Sequence, residues 1–140
     1  MILTPEQILM MQGKLCPYCG KEPEYVDSAI VYSGKSYGMI YYCAADKAWV
    51  GVHKRWPKKA LGRLANGELR EWKKKAHETF DPQWHQGIFE SRGDAYSWLS
   101  DFLKLPIEYT HIGMFGVETC KKIVLYIESS IEKIKEAAGL

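Results

Sequence analysis

The chain has 140 residues, 46% hydrophobic and 13% aromatic, with a formal net charge of +2. That is apolar material for one core, or one core with a small satellite, so one compact unit with an appended finger is expected. No run approaches the ~18 apolar residues of a membrane span, and "MILTPEQILMMQG" lacks the basic start and small-residue cleavage site of a signal peptide, so the expected setting is cytoplasmic and membrane-free.

Thr4-Pro5-Glu6-Gln7 reads as an N-cap, a proline at the first helical position and a Gln that completes a capping box. A short helix to about Gln12 follows, ending at Gly13. Next comes "CPYCG", two thiols three positions apart at Cys16 and Cys19. From Glu24 to His53 the chain is rich in Tyr, Val and Ile, broken at Ser33-Gly34 and at "AAD" 44–46, which predicts three short antiparallel strands. Pro57 and the stretch "HKRWPKKALGR" read as a connector.

Asn66 is placed to cap a helix to about Phe80, where Asp81-Pro82 is expected to stop it. Leu69, Trp72, Ala76 and Phe80 share one stripe, with Arg70, Lys73 and His77 along its flank and Lys74 beyond. Ser91 with Asp94 signals a second helix whose Ala95, Trp98, Leu99, Phe102 and Leu103 keep helical spacing, and Pro106 ends it. A last amphipathic helix from about Val117 carries Cys120, Val124, Ile127, Ile131 and Ile134 on its apolar face. Trp72 and Trp98 are expected in the core, and Cys120 as a buried, inert thiol.

Zinc takes four ligands in a tetrahedron, and Cys-x-x-Cys in a tight turn delivers two of them at once. Cys43 closes the aromatic strand "SYGMIYY", and Asp46 follows it at the spacing that separates Cys16 from Cys19. The expected site is therefore Cys16, Cys19, Cys43 and Asp46 around structural Zn2+. His53 is the alternative fourth ligand, and a ribbon without metal is the remaining possibility.

The span "CPYCG … SYGMIYYC" resembles the zinc ribbons at the C-termini of bacterial type I DNA topoisomerases. The longer run "SYGMIYYC … AWVGVH … LGRLANGELREWKKKAHETFDPQW … SRGDAYSWL … HIGMFGVETCKKI" is similar to a zinc-finger-containing domain family of unknown function from bacteria and phages, over about residues 16 to 127. Both patterns imply a metal-held finger and would place a cysteine where this chain has Asp46.

Charge is uneven along the chain. Residues 54–75 hold nine Lys/Arg against two Asp/Glu, while 76–140 hold six against ten. Lys54, Arg55, Lys58, Lys59, Arg63, Arg70, Lys73 and Lys74, with Trp56 among them, are the candidate nucleic-acid contacts, because phosphates reward clustered cations and exposed aromatics stack on unpaired bases. Tyr37, Tyr41, Tyr42 and Trp49 lie nearby in sequence. A protein-binding role, using the acidic last helix with Glu128, Glu132 and Glu136, is the alternative.

His77, Asp81 and His85, spaced four and four, with His111 joining from elsewhere, would suit a metal hydrolase, but Pro82 interrupts that spacing. No phosphate loop or nucleophile elbow is present in the sequence, and no residue is assigned as catalytic. The expected architecture is α+β: residues 1–53 a short helix and three-stranded zinc-ribbon-like element, residues 54–140 a basic connector and three-helix domain, together one compact unit.

Overall fold

A computed structural model describes residues 3–85, 89–137 and 139, the side chains of 84, 85 and 133–137 excepted. The architecture is α+β, with four α-helices and one three-stranded antiparallel sheet among the described residues. In chain order the elements are α1 (Pro5–Met11), β1 (Glu24–Asp27), β2 (Met39–Cys43), β3 (Ala48–Gly51), α2 (Gly67–His85), α3 (Arg92–Leu103) and α4 (Val117–Ala137). The chain divides into two compact units, Met1–Arg70 and Glu71–Leu140.

In the first unit the capping box forms as the sequence predicts: the Gln7 N–H donates to the Thr4 hydroxyl and the Thr4 N–H to the Gln7 side chain. The strands run in the order β1-β2-β3, with Tyr25 opposite Tyr41 and Tyr41 opposite Val50. One face of the sheet thus carries Tyr41, Cys43, Ala48 and Val50, which pack with Cys16 and Leu64 into a small core.

The segment read as a connector belongs to this sheet. Trp49 and Ala65 exchange both backbone hydrogen bonds, Val52 bridges Ala60, and the Leu61 N–H donates to Gly51. Residues 60–65 therefore run antiparallel along the outer edge of β3. Backbone pairing draws the basic segment into the first unit, Met1–Arg70.

The β1–β2 loop is held by one carboxylate. Asp27 accepts from the Ala29 N–H at 2.8 Å and from the Ser36 hydroxyl at 2.9 Å. Buried Ser28 accepts from the Tyr37 N–H at 2.7 Å.

The second unit's core comprises Ala76 and Phe80 from α2, Ala95, Tyr96, Leu99 and Leu103 from α3, and Cys120, Ile123, Val124 and Ile127 from α4, with Ile112 and Phe115 from the intervening turn. Ser91 caps α3 as expected, and Lys104 ends it in the left-handed region. Cys120 is fully buried, as its place in the stripe predicts. Ile134 lies outside the described side chains.

Two expectations fail here. Helix α2 runs through Pro82 to His85 and does not stop at Phe80. Proline removes one N–H partner, that of the Glu78 carbonyl, on the exposed side of the helix. Neighbouring carbonyls gain side-chain donors, Thr79 to Lys75 and Gln83 to Thr79. Trp72 and Trp98 are half-buried, not core. Lys75 and Lys121 lie over the Trp72 ring, and Trp98 stacks on Phe102 with centroids 5.2 Å apart.

Gly13 has φ +74°, and a Cβ there would come within 2.5 Å of the Gly62 carbonyl oxygen and 2.7 Å of Ala60 Cβ. Gly34 has φ +91° with open space around it. Gly13→Ala should lower the urea-unfolding free energy clearly more than Gly34→Ala, which carries only the left-handed backbone cost of ~1–2 kcal/mol. The two hydrogen bonds to Asp27 hold its carboxyl below its ordinary value of 3.8. The loop's order should be complete above that ordinary value and lost as pH falls through the lower folded-state value, measurable by NMR titration of the Asp27 carboxyl and the Ala29 amide.

Candidate metal centre

The two knuckles are built alike. In the first, Cys16-Pro17-Tyr18-Cys19, the Cys16 N–H donates to Lys21 and the Gly20 N–H to Cys16, each at 2.8 Å. Gly20 sits at φ +77°. In the second, Cys43-Ala44-Ala45-Asp46 forms the β2–β3 turn, and Lys47, at the position matching Gly20, is also left-handed at φ +50°. Sequence reasoning missed Lys47, because lysine carries none of the signature of a positive φ. The matching spacing of the two half-sites is the signal that points to it.

The turns bring their donors together. Cys16, Cys19 and Cys43 sulfurs and an Asp46 oxygen all lie within 4.8 Å of one another. Cys19 Sγ is 3.7 Å from Cys43 Sγ, and Asp46 Oδ2 is 3.5 Å from Cys16 Sγ and 3.4 Å from Cys43 Sγ. A zinc tetrahedron with Zn–S ~2.3 Å and Zn–O ~2.0–2.2 Å has edges of ~3.8 Å between sulfurs and ~3.5 Å between sulfur and oxygen. These three separations match those edges and the remaining pairs lie within 4.8 Å, so the residues fit zinc.

The electrostatics agree. Burial pushes the Cys16 thiol up to about 12, against the lowering effect of the Tyr18 and Cys19 N–H groups that point at its sulfur. Burial likewise raises Cys43, against the Asp46 N–H. With no cation, protons must hold these sites neutral; a divalent ion replaces them and lets the inward-pointing N–H groups act on thiolates.

His53 is not part of the cluster. Its ring lies edge-on to Trp56 at 6.1 Å and its backbone N–H donates to the Lys59 carbonyl, while the fourth residue of the cluster is Asp46. Tyr18, inside the first knuckle, accepts from the Asn66 N–H and thereby ties the metal turn to the cap of α2, where Asn66 accepts from the Leu69 N–H.

The basic residues divide by what holds them. Lys54, Arg55, Lys58 and Lys59 are exposed on the 53–60 loop, with Trp56 56% exposed among them. That loop is pinned: the Lys59 N–H donates to Trp56, the Tyr25 hydroxyl to Pro57, and the Tyr41 hydroxyl to Lys58. Arg63 is half-buried. Arg70 is spent on structure, its guanidinium 3.8 Å from the Trp49 ring centre and donating to the Ala65 carbonyl. Lys73 donates to the Gly113 carbonyl at 2.8 Å, while Lys74 is exposed.

His77 pairs with Asp81 at 3.1 Å, and the side chain of His85 lies outside the described residues. His111 lies beside Tyr96, its pKa lowered by burial and by Arg92. Among the described residues, neither His77 nor His111 belongs to a metal-capable cluster.

Comparison with known proteins adds one positive result. A family model described as a zinc-finger-containing domain matches residues 12–130, so the chain belongs to that family. No curated protein and no solved structure matches significantly. The likeness of the first knuckle to topoisomerase ribbons is not carried by these matches.

The purified protein should contain about one zinc per chain, with Cys16→Ser lowering it toward zero and unfolding the sheet unit, because the ion supplies folding energy. Cys120→Ser should leave zinc content unchanged. Asp46→Cys should hold zinc more tightly in a chelator competition, since thiolate is the softer donor.

Proposed function

We propose that this member of the zinc-finger-containing domain family is a nucleic-acid-binding accessory protein, its zinc structural and its contact surface the 53–60 loop. The observation that carries the reading is Trp56, an exposed ring with Arg55 and Lys59 side chains 5.3 and 5.9 Å from its centre. Exposed tryptophan in water is unfavourable unless something covers it, and a ring among cations suits an unpaired base whose phosphates those cations meet.

The loop's rigidity supports this. Its backbone is fixed to β1, β2 and β3 before any ligand arrives, so little ordering cost remains at binding. Zinc contributes at one remove, by holding the turn from which β3 emerges. No helix of the described residues is long and apolar enough to cross a membrane.

A second reading has its own observation. Leu125, Tyr126 and Ile131 are exposed on α4 beside exposed Glu128 and Glu132, a mixed apolar and acidic face suited to a basic protein partner; Glu136 lies outside the described side chains. A pull-down that survives nuclease and is lost on Leu125→Asp would favour it.

Anisotropy of a labelled oligonucleotide at two salt concentrations tests the first reading. Affinity should fall as salt rises, and Lys58→Ala should lower the salt slope by about 1. Trp56→Ala should weaken binding on the order of tenfold with the slope unchanged. Undetectable binding at low salt would overturn the reading.

A further inference from the structure

The β1–β2 loop presents a second aromatic group that the 53–60 loop does not use. Tyr37 is 64% exposed, and its ring meets Tyr32 edge-on at 4.9 Å; Tyr32 in turn meets Trp49 edge-on at 5.4 Å. Lys35 lies 5.3 Å from the Tyr37 ring centre, and Arg70 covers Trp49. Packing accounts for Tyr32, which shields Trp49. It does not account for Tyr37, whose ring adds little buried area.

The backbone beneath is not a loose tip. Asp27 binds both sides of the loop, the Ser28 N–H donates to Gly38, and Ser28 accepts from the Tyr37 N–H itself. An aromatic ring held out on a fixed backbone, with cations on the same surface, is the arrangement that stacks a planar ring carrying negative charge nearby.

Resting on the nucleic-acid reading above, we propose that Tyr37, backed by Tyr32 and flanked by Lys35, is a stacking site for an unpaired nucleobase. The class of ligand is single-stranded nucleic acid, because a base inside a duplex offers no free face to Tyr37. Charge argues the same way: Lys35 suits the adjoining phosphate, and Asp27, the acid of this loop, is occupied by the Ala29 N–H and the Ser36 hydroxyl.

Stacking and phosphate contact separate experimentally. Stacking releases no counterions, so losing it lowers affinity without altering the salt slope. The test is anisotropy of a labelled oligothymidylate and of a labelled hairpin duplex, on the zinc-loaded full chain, for wild type, Tyr37→Ala and Tyr37→Phe, with zinc content and circular dichroism checked to be unchanged. Tyr37→Ala should weaken single-strand binding on the order of tenfold at unchanged slope and leave duplex binding as it was, with Tyr37→Phe restoring it. Wild-type binding that is indifferent to Tyr37→Ala, or that falls equally for both probes, overturns this site and leaves the broader reading standing. Failure of the wild type to bind either probe overturns both.

Discussion

The first unit depends on a single coordination requirement, that four donors meet at tetrahedral edges. Its buried hydrophobic residues are few for its length: Cys16, Ala48 and Leu64 with Tyr41, Cys43 and Val50 beside them, and Met11, Ile40, Ala65 and Leu69 elsewhere among the described residues. A core of that size does not offset the ordering of some seventy residues, and small units of this kind characteristically rely on a metal. Joining 16–19 to 43–46 closes the long excursion of β1 and its loop and fixes the register of β2 against β3. Two anchored loops follow from that register. Tyr25 and Tyr41 reach the 53–60 loop only because β1 and β2 are held side by side, and Trp49 meets Ala65 only because β3 presents its outer edge.

Much of this was legible where local chemistry decides the outcome. Thr4, Asn66 and Ser91 cap their helices because a short polar side chain before an apolar stripe has few better uses. The cysteine spacing disclosed the metal turn because thiols three apart have a distinctive geometric purpose, and Asp46 was legible by symmetry with Cys19. Less was legible where tertiary pairing decides. Residues 60–65 carry no strand pattern, yet they lie along β3, since an open edge of unpaired backbone groups accepts whatever chain passes it. Pro82 looked like a terminus, but the helix loses only one bond by passing it. Trp72 sat on an apolar stripe by spacing, and two lysines cover its ring where a core would have been expected.

The cations teach a related point. A count along the sequence treats Arg70 and Lys73 as equal to Lys54 and Lys58. In the fold the first pair is engaged with Trp49, Ala65 and Gly113, while Lys54 is exposed and Lys58, also exposed, lies over the Tyr25 ring at 4.1 Å. Linear charge density overstates what is offered to a phosphate, and the difference is the aromatic ring and backbone carbonyls that already hold Arg70 and Lys73.

The carboxylate in the metal set has one more effect. Aspartate has no oxidation chemistry, so the site holds an odd number of thiols. An oxidant that joins two of them as a disulfide strands the third beside Asp46, and two donors do not make a tetrahedron. A four-thiol ribbon can retire as two disulfides; this one is left with an unpaired sulfur, which is the buried Cys16 when the neighbouring Cys19 and Cys43 join.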